Sequence, residues 1–143
     1  MIKIESFRIY LAGGMSGLSL EEQTKWRSQF INDVKNFTIT KTPIFFDPTN
    51  YYSLFEKEHK SEREVMEFDL SHLRKSDLIV VNFNSPNSIG TAMELMFAKE
   101  NKIPVIGFTE DESILHPWLI ECCTRVCNSF IELLMHVSQF YLS

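Results

Sequence analysis

The sequence predicts an α/β fold: a three-layer sandwich around a five-stranded parallel sheet, Rossmann-like or flavodoxin-like. Three observations predict it. Short apolar, β-branched and aromatic runs alternate with helix-length segments five times along the chain, the order that a parallel sheet with crossover helices requires. The run Asp77 to Phe83 (DLIVVNF) is apolar on both faces, as a strand covered by helices on each side must be. Ser-x-x-Glu patterns at Ser19/Glu22, Ser61/Glu64 and Ser129/Glu132 mark helix starts between such runs.

Taken in order, Phe7 to Ala12 (FRIYLA) reads as the first strand, stopped by Gly13-Gly14. The Ser19/Glu22 pattern opens a helix to about Asn36, with Trp26, Phe30, Ile31 and Val34 at helical spacing. Pro43 to Phe46 is a short second strand that breaks at Asp47-Pro48. Thr49 to Lys60 is polar and aromatic without clear period and reads as a loop over a site. Ser61/Glu64 opens a second helix through Val65, Met66, Leu70 and Leu73 to about Lys75, which delivers the chain to the central strand. A Pro86-Asn87-Ser88 turn leads into a helix from about Gly90 to Asn101, and Ile103 to Phe108 is the fourth strand. Pro117 to Cys122 reads as a short helix, Arg125 to Cys127 as a short edge strand, and the segment after Ser129 as a final helix.

At 143 residues and 16.7 kDa, with 44% apolar and 23% charged residues, the chain has the size and balance of a single globular domain spanning 1–143. Its formal net charge of −5 argues against a nucleic-acid polymer as partner, since phosphate-backbone binding needs a basic surface. No apolar run approaches the ~20 residues of a membrane span, and no signal peptide is legible, so a cytoplasmic location without membrane contact is expected. Cys122, Cys123 and Cys127 are an odd count without a second ligand cluster, and His59, His72, His116 and His136 are scattered; no metal and no cofactor is expected.

Ligands of open parallel sheets bind beyond the carboxyl ends of the strands. Three segments leave strands there with unusual polar content: Gly13-Gly14-Met15-Ser16-Gly17, Asp47-Pro48-Thr49-Asn50-Tyr51-Tyr52, and Asn84 to Thr91. The glycines allow backbone to approach a ligand, but GGMSG has neither dinucleotide nor P-loop spacing. Glu94 lies early in the helix that follows the central strand, where a carboxylate could simply answer the helix dipole. Met93, Leu95 and Phe97 are expected to be buried, which puts Glu94 at the site edge or in solvent. Asp69 sits mid-helix between apolar neighbours, where Asp is a poor helix former. A nucleophilic carboxylate with a second carboxyl for proton delivery is the general requirement for glycoside cleavage.

Together these residues resemble the nucleoside 2-deoxyribosyltransferase family and its nucleotide-hydrolysing relatives, over most of the chain: IYLAGGMSGL, FDPTNYY, MEFDLSHLRKSDLIVVNF and SIGTAMELMFAKENKIPVIGF. The motifs D-L-x-x-L-x-x-S-D and G-T-x-x-E-L-x-x-A, in this order, are fairly specific. The resemblance implies that Glu94 attacks C1′ and forms a glycosyl-enzyme ester, that Tyr10 hydrogen-bonds and positions it, and that Asp69 meets the nucleobase and assists its departure. It further implies that Gly13, Gly14, Met15 and Ser16 line the sugar or 5′ side, with Asp47, Asn50, Tyr51, Ser88 and Gly90 also at the substrate. A small-molecule nucleoside or nucleotide as partner, and a homodimer or larger homo-oligomer whose neighbouring subunit completes the site, follow from the same likeness.

One departure bears on the substrate. Transferases of the family carry an Asp before the G-x-x-x-E motif, where this chain has Ser88, as the 2′-deoxynucleoside 5′-monophosphate N-hydrolases do. Those hydrolases also place an Arg and a Ser in the first glycine loop, where this chain has Ser16 and Gly14, so nucleoside and nucleotide both stay open. Two rivals remain: a phosphoribohydrolase of the cytokinin-activating type, whose fuller P-G-G-x-G-T-x-x-E motif is missing here, and a non-catalytic nucleotide-binding or sensor domain.

Overall fold

A computed structural model describes residues 5–14, 18–52, 60–85 and 87–143, with the backbone alone at Leu20 and Tyr52. Five parallel strands form one sheet: β1 (Ser6–Gly13), β2 (Thr42–Phe46), β3 (Leu78–Asn82), β4 (Val105–Phe108) and β5 (Arg125–Cys127). Their spatial order is β2-β1-β3-β4-β5, which is the flavodoxin-like order. The direction of winding reverses between β1 and β3, which pair in register from Ile9 opposite Leu78 to Gly13 opposite Asn82. A crevice opens at such a reversal, so the ends of β1 and β3 define where a ligand can enter.

Among the described residues six helices flank the sheet: α1 (Leu20–Val34), α2 (Thr49–Tyr52), α3 (Glu62–Arg74), α4 (Ile89–Glu100), α5 (Pro117–Glu121) and α6 (Phe130–His136). The Ser19 hydroxyl accepts from the Glu22 N–H while the Glu22 side chain answers the Ser19 N–H, so the capping box closes as its spacing predicts. At Ser61 the same pattern closes differently: Ser61 accepts from Glu64, but the Glu64 carboxylate takes the N–H of Lys60. The segment expected as a loop from Thr49 begins instead with the single turn α2, whose start is clipped by Asp47. A further short turn, Glu112–Ile114, and a π-helical end to the chain, Val137–Tyr141, were not legible in the spacing.

Alternate strand residues feed two cores. Ile9, Leu11, Val80 and Ile106 meet Phe30 and Val34 of α1 and Leu133 and Leu134 of α6. Tyr10, Ala12, Ile79, Val81 and Val105 meet Leu73 of α3 and Leu95 and Ala98 of α4. The result is the three-layer sandwich, with β3 buried along its whole apolar run. In β4, Gly107 is needed for packing: a Cβ there would lie 2.3 Å from the Phe83 ring.

Candidate active site

Strand alternation sends Tyr10 to the α3/α4 side, and its side chain is fully buried there. Its hydroxyl donates a short hydrogen bond to Oε2 of Glu94, which reaches in from the second turn of α4. Asp69 comes from α3, which packs along α4; the Glu94 charge acts on it, and its own charge acts on Tyr10. The structure therefore brings together three residues that are 84 positions apart at the extremes.

Burial sets the electrostatics. It pushes the Glu94 carboxyl up to about 7, against the opposing pull of the Tyr10 hydrogen bond and the positive charge of Arg27. Burial, and then the neighbouring Glu94, push Asp69 up to about 7 as well. The Tyr10 phenol is held far above its ordinary range by burial and by the two carboxylates, so it stays a hydrogen-bond donor. Two interacting carboxyls near neutrality share protons as a pair. One can be the anion while the other keeps a proton to give, which is the division that nucleophilic and general-acid work requires.

Around this pair stands an aromatic wall. The Phe46 ring lies 5.2 Å from Tyr10, 5.1 Å from Tyr51 and 4.2 Å from His72, all near parallel. Phe68 closes it edge-on at 5.1 Å from Tyr51 and 4.7 Å from His72. Among the described residues Tyr51 reaches Tyr10 only through Phe46, and the parts of Phe68 and His72 had no sequence signal beyond their helical spacing around Asp69.

The remaining expected site residues are placed as follows. Asp47 is buried, and its Oδ1 accepts from the Thr49 N–H at 2.9 Å and the Thr49 hydroxyl at 2.5 Å, while the exposed Asn50 donates its N–H to the Asp47 carbonyl. Ser88 is the N-cap of α4 and accepts from the Thr91 N–H at 3.2 Å. Gly90 is exposed beside it. Gly14 packs against the turn after β3, where a Cβ would lie 2.7 Å from the Ser85 carbonyl oxygen. Gly13 lies against Trp26 and Arg27, with 3.3 Å from a Cβ to the indole. Met15 and Ser16 fall outside the described residues. Between these two chain ends lies a cleft of about 150 Å³ lined by Gly14, Trp26, Asn82, Asn84 and Ser85 among others.

Met93 is a correction. It was expected inside with Leu95 and Phe97, but it is 58% exposed; Thr91, Leu95 and Ala98 form the buried stripe and Phe97 is half-buried. Helix α4 is apolar nearly all round, so spacing alone could not choose its inner face.

Sequence reading passed over Arg27. It is fully buried, with Nε donating to the Leu11 carbonyl at 3.2 Å, Nη2 to the Gly13 carbonyl at 3.4 Å, and Nη1 to the Gln23 carbonyl. Its Nε lies 3.7 Å from Asp47 Oδ1. A signal was present: Arg27 stands three, four and seven residues before Phe30, Ile31 and Val34, on the apolar stripe of α1. A charge on an inward stripe is rarely accidental. Among the described residues no group of His, Cys, Asp and Glu could hold a metal ion, and all three cysteines are free thiols.

The family model described as nucleoside 2-deoxyribosyltransferase matches residues 9–137. A conserved protein from Enterococcus faecalis is similar in structure, with a TM-score of 0.71 and 18% identity over 94% of this chain and 98% of its own. A 2-deoxyribosyltransferase from Bacillus psychrosaccharolyticus has a TM-score of 0.65 and 21% identity over 88% and 89% of the two chains. A CMP N-glycosidase from Clostridium botulinum has a TM-score of 0.57 and 18% identity over 93% and 98%. At these identities the structural likenesses show the fold. No curated protein matches the chain by sequence.

Proposed function

The chain belongs to the nucleoside 2-deoxyribosyltransferase family, and from that premise we propose that it cleaves the N-glycosidic bond of 2′-deoxynucleosides or their 5′-monophosphates through an ester on Glu94. The observation that carries the reading is the Tyr10–Glu94 hydrogen bond with Asp69 alongside, three side chains from β1, α3 and α4 at one carboxyl edge. In the first step a Glu94 oxygen bonds to C1′ as the C1′–N bond breaks. The electron pair leaves with the base, and protonated Asp69 supplies the proton that neutralises it. The Tyr10 hydroxyl holds the carboxylate for attack by donating to it, and that hydrogen bond weakens as the carboxylate gives up its charge to the ester. In the second step a base nitrogen or water attacks C1′, the Asp69 carboxylate takes the proton that the attacking group gives up, and Glu94 departs as carboxylate.

Ser88 favours the monophosphate within this reading. A 5′-phosphate adds about −1.5 to −2 charges at neutral pH, and a serine leaves it a less negative neighbour than an aspartate would. Transfer to a second base and transfer to water are both open to a Glu94 ester. Assembly is part of the reading. Ile89, Met93 and Met96 form one exposed stripe of α4, with Ile114 and Trp118 also exposed on the segment that follows β4. A second copy of the chain covering that stripe gives a homodimer whose partner lies close to Glu94.

The test is direct. Purified protein is incubated with 2′-deoxynucleosides and with their 5′-monophosphates, each with and without a second base, and released base is measured beside a Glu94→Gln variant. Base release by wild type and none by the variant is expected. No release from any of these substrates would remove the reading. Sedimentation at micromolar concentration should show a species of at least twice 16.7 kDa.

A further inference from the structure

The proposed reaction leaves Arg27 without a part, although it is the largest fully buried side chain of the fold. Burying a guanidinium is costly unless its donors and charge are answered. Here they are answered in an informative pattern. Two of its bonds go to the carbonyls of Leu11 and Gly13, the residues that flank Ala12 at the carboxyl end of β1. Its ion-pair partner, Asp47, ends β2 and clips α2. Its third carbonyl partner, Gln23, lies one turn back on α1. One rigid fork thus joins α1, β1 and the β2–α2 turn at the rim from which Tyr10 reaches Glu94.

We propose that Arg27 is a positioning residue of this enzyme: it fixes the end of β1 that carries Tyr10 and sets a buried guanidinium behind that strand, from which its charge reaches the Glu94 carboxylate. Being fully buried, it touches no substrate. Among the described residues, the groups that act on Glu94 are Tyr10 from β1 and Arg27 from α1, while Glu94 in turn acts on Asp69 from α3. Burial disfavours the anion, and the Tyr10 hydrogen bond and Arg27 favour it. A nucleophile must be ionised to attack, so the Arg27 charge acts on the first chemical step even from behind the strand. A lysine could match the charge but not the fork to two carbonyls and a carboxylate.

The inference rests on Glu94 being the nucleophile, and the experiment separates the two. Ionisation of Glu94 is followed by ¹³C NMR of carboxyl-labelled glutamate, its signal identified by loss in Glu94→Gln; this needs no turnover. The pH profile of kcat/KM is measured in parallel. Because Arg27→Met alone would strand buried Asp47, the main variant pairs Arg27→Met with Asp47→Asn. The Glu94 midpoint and the acidic limb should both move up by about one pH unit. Taken relative to each protein's own plateau, activity at pH 6 then falls about tenfold further in the variant than in wild type. Arg27→Lys, and Asp47→Asn alone, keep the charge and should leave the limb where it is. A Glu94 midpoint unmoved in the double variant, or a fall in kcat equal at every pH, would make Arg27 purely structural and overturn the proposal. If the double variant does not fold, an acidic limb raised in Asp47→Asn as much as is expected for the double variant would overturn it too. Wild-type protein that releases no base, with the NMR midpoint still moving, would instead sink the reaction while leaving the electrostatic role intact.

Discussion

The two faces of the sheet are built from the same strands and do opposite work. On the α1/α6 side, Ile9, Leu11, Val80 and Ile106 pack against apolar side chains of α1 and α6, and apart from Arg27 the face is a core in the ordinary sense. On the α3/α4 side the alternate residues of β1 include Tyr10, and the covering helices bring Asp69 and Glu94 into a half-dry space. One face is paid in hydrophobic burial, and the other spends part of it on carboxyls held away from their ordinary ionisation. The comparison teaches that a two-residue period can write structure and chemistry into one strand. Arg27 is the exception that links the faces, since it belongs to α1 yet acts at the rim they share.

The largest expected effect breaks the comparison from the chemical side. Glu94→Gln keeps a neutral hydrogen-bonding group of the same size opposite Tyr10 and removes the nucleophile. Turnover should fall at least about 10³-fold, a barrier increase of roughly 4 kcal/mol. Activity within about tenfold of wild type would exclude Glu94 as nucleophile. Breaking the other face should do the reverse. Leu133→Ala opens a hole in the α1/α6 core at a fully buried position, which costs about 2–5 kcal/mol of stability. Its kcat below the melting transition should stay within about twofold of wild type. A Leu133→Ala variant that loses activity while folded would deny that the faces are separable.

How much of this was legible differs between the faces for a physical reason. The apolar face announces itself: DLIVVNF reads as a buried strand, and the Ser19/Glu22 box fixes where α1 begins. The family resemblance also brought Tyr10, Asp69 and Glu94 into one list, and the strand order places β1 beside β3, which leads into α4. What spacing could not give was orientation on helix α4. Apolar residues all round it left Met93 and Leu95 indistinguishable, and only the packing of Thr91, Leu95 and Ala98 decides. The single turn α2 was hidden because its start depends on one Asp47 side chain clip and not on any period. Arg27 stands on the apolar stripe of α1, which marks it as inward, but most of its partners are backbone carbonyls, which no side-chain pattern names.

A third prediction sharpens the contrast through pH. Burial raises Glu94 from 4.5 to about 7 and Asp69 from 3.8 to about 7, so between those values the folded protein binds more protons than the unfolded chain. Stability from these groups is therefore fully present below about pH 4 and is lost as pH rises through 7. Their joint effect should be roughly 1–3 kcal/mol, because the pair is coupled and only half-buried at Glu94. Thermal melts should show Glu94→Gln more stable than wild type at pH 8, and nearly equal to it at pH 4. Equal melting temperatures at pH 8 would mean that the carboxyls are not held in the protonated form by the fold.

The smallest expected effect concerns Ser88, where structure and specificity are superimposed on one atom. Its Oγ caps α4 by accepting from the Thr91 N–H, and loss of such a cap costs about 1 kcal/mol, so Ser88→Ala should lower stability by that much. That loss by itself says nothing about substrate. Aspartate caps a helix about as well as serine, so Ser88→Asp preserves the end of α4 and adds only a negative charge. If the 5′-phosphate lies near the first turn of α4, the added carboxylate repels it. The ratio of kcat/KM for a 5′-monophosphate over its nucleoside should then fall about tenfold, which is ~1.4 kcal/mol, with the melting temperature unchanged. The two substitutions thus separate what the single atom combines. A ratio unaltered in Ser88→Asp, together with a normal melt, would place the phosphate away from α4 and leave Ser88 as a cap alone.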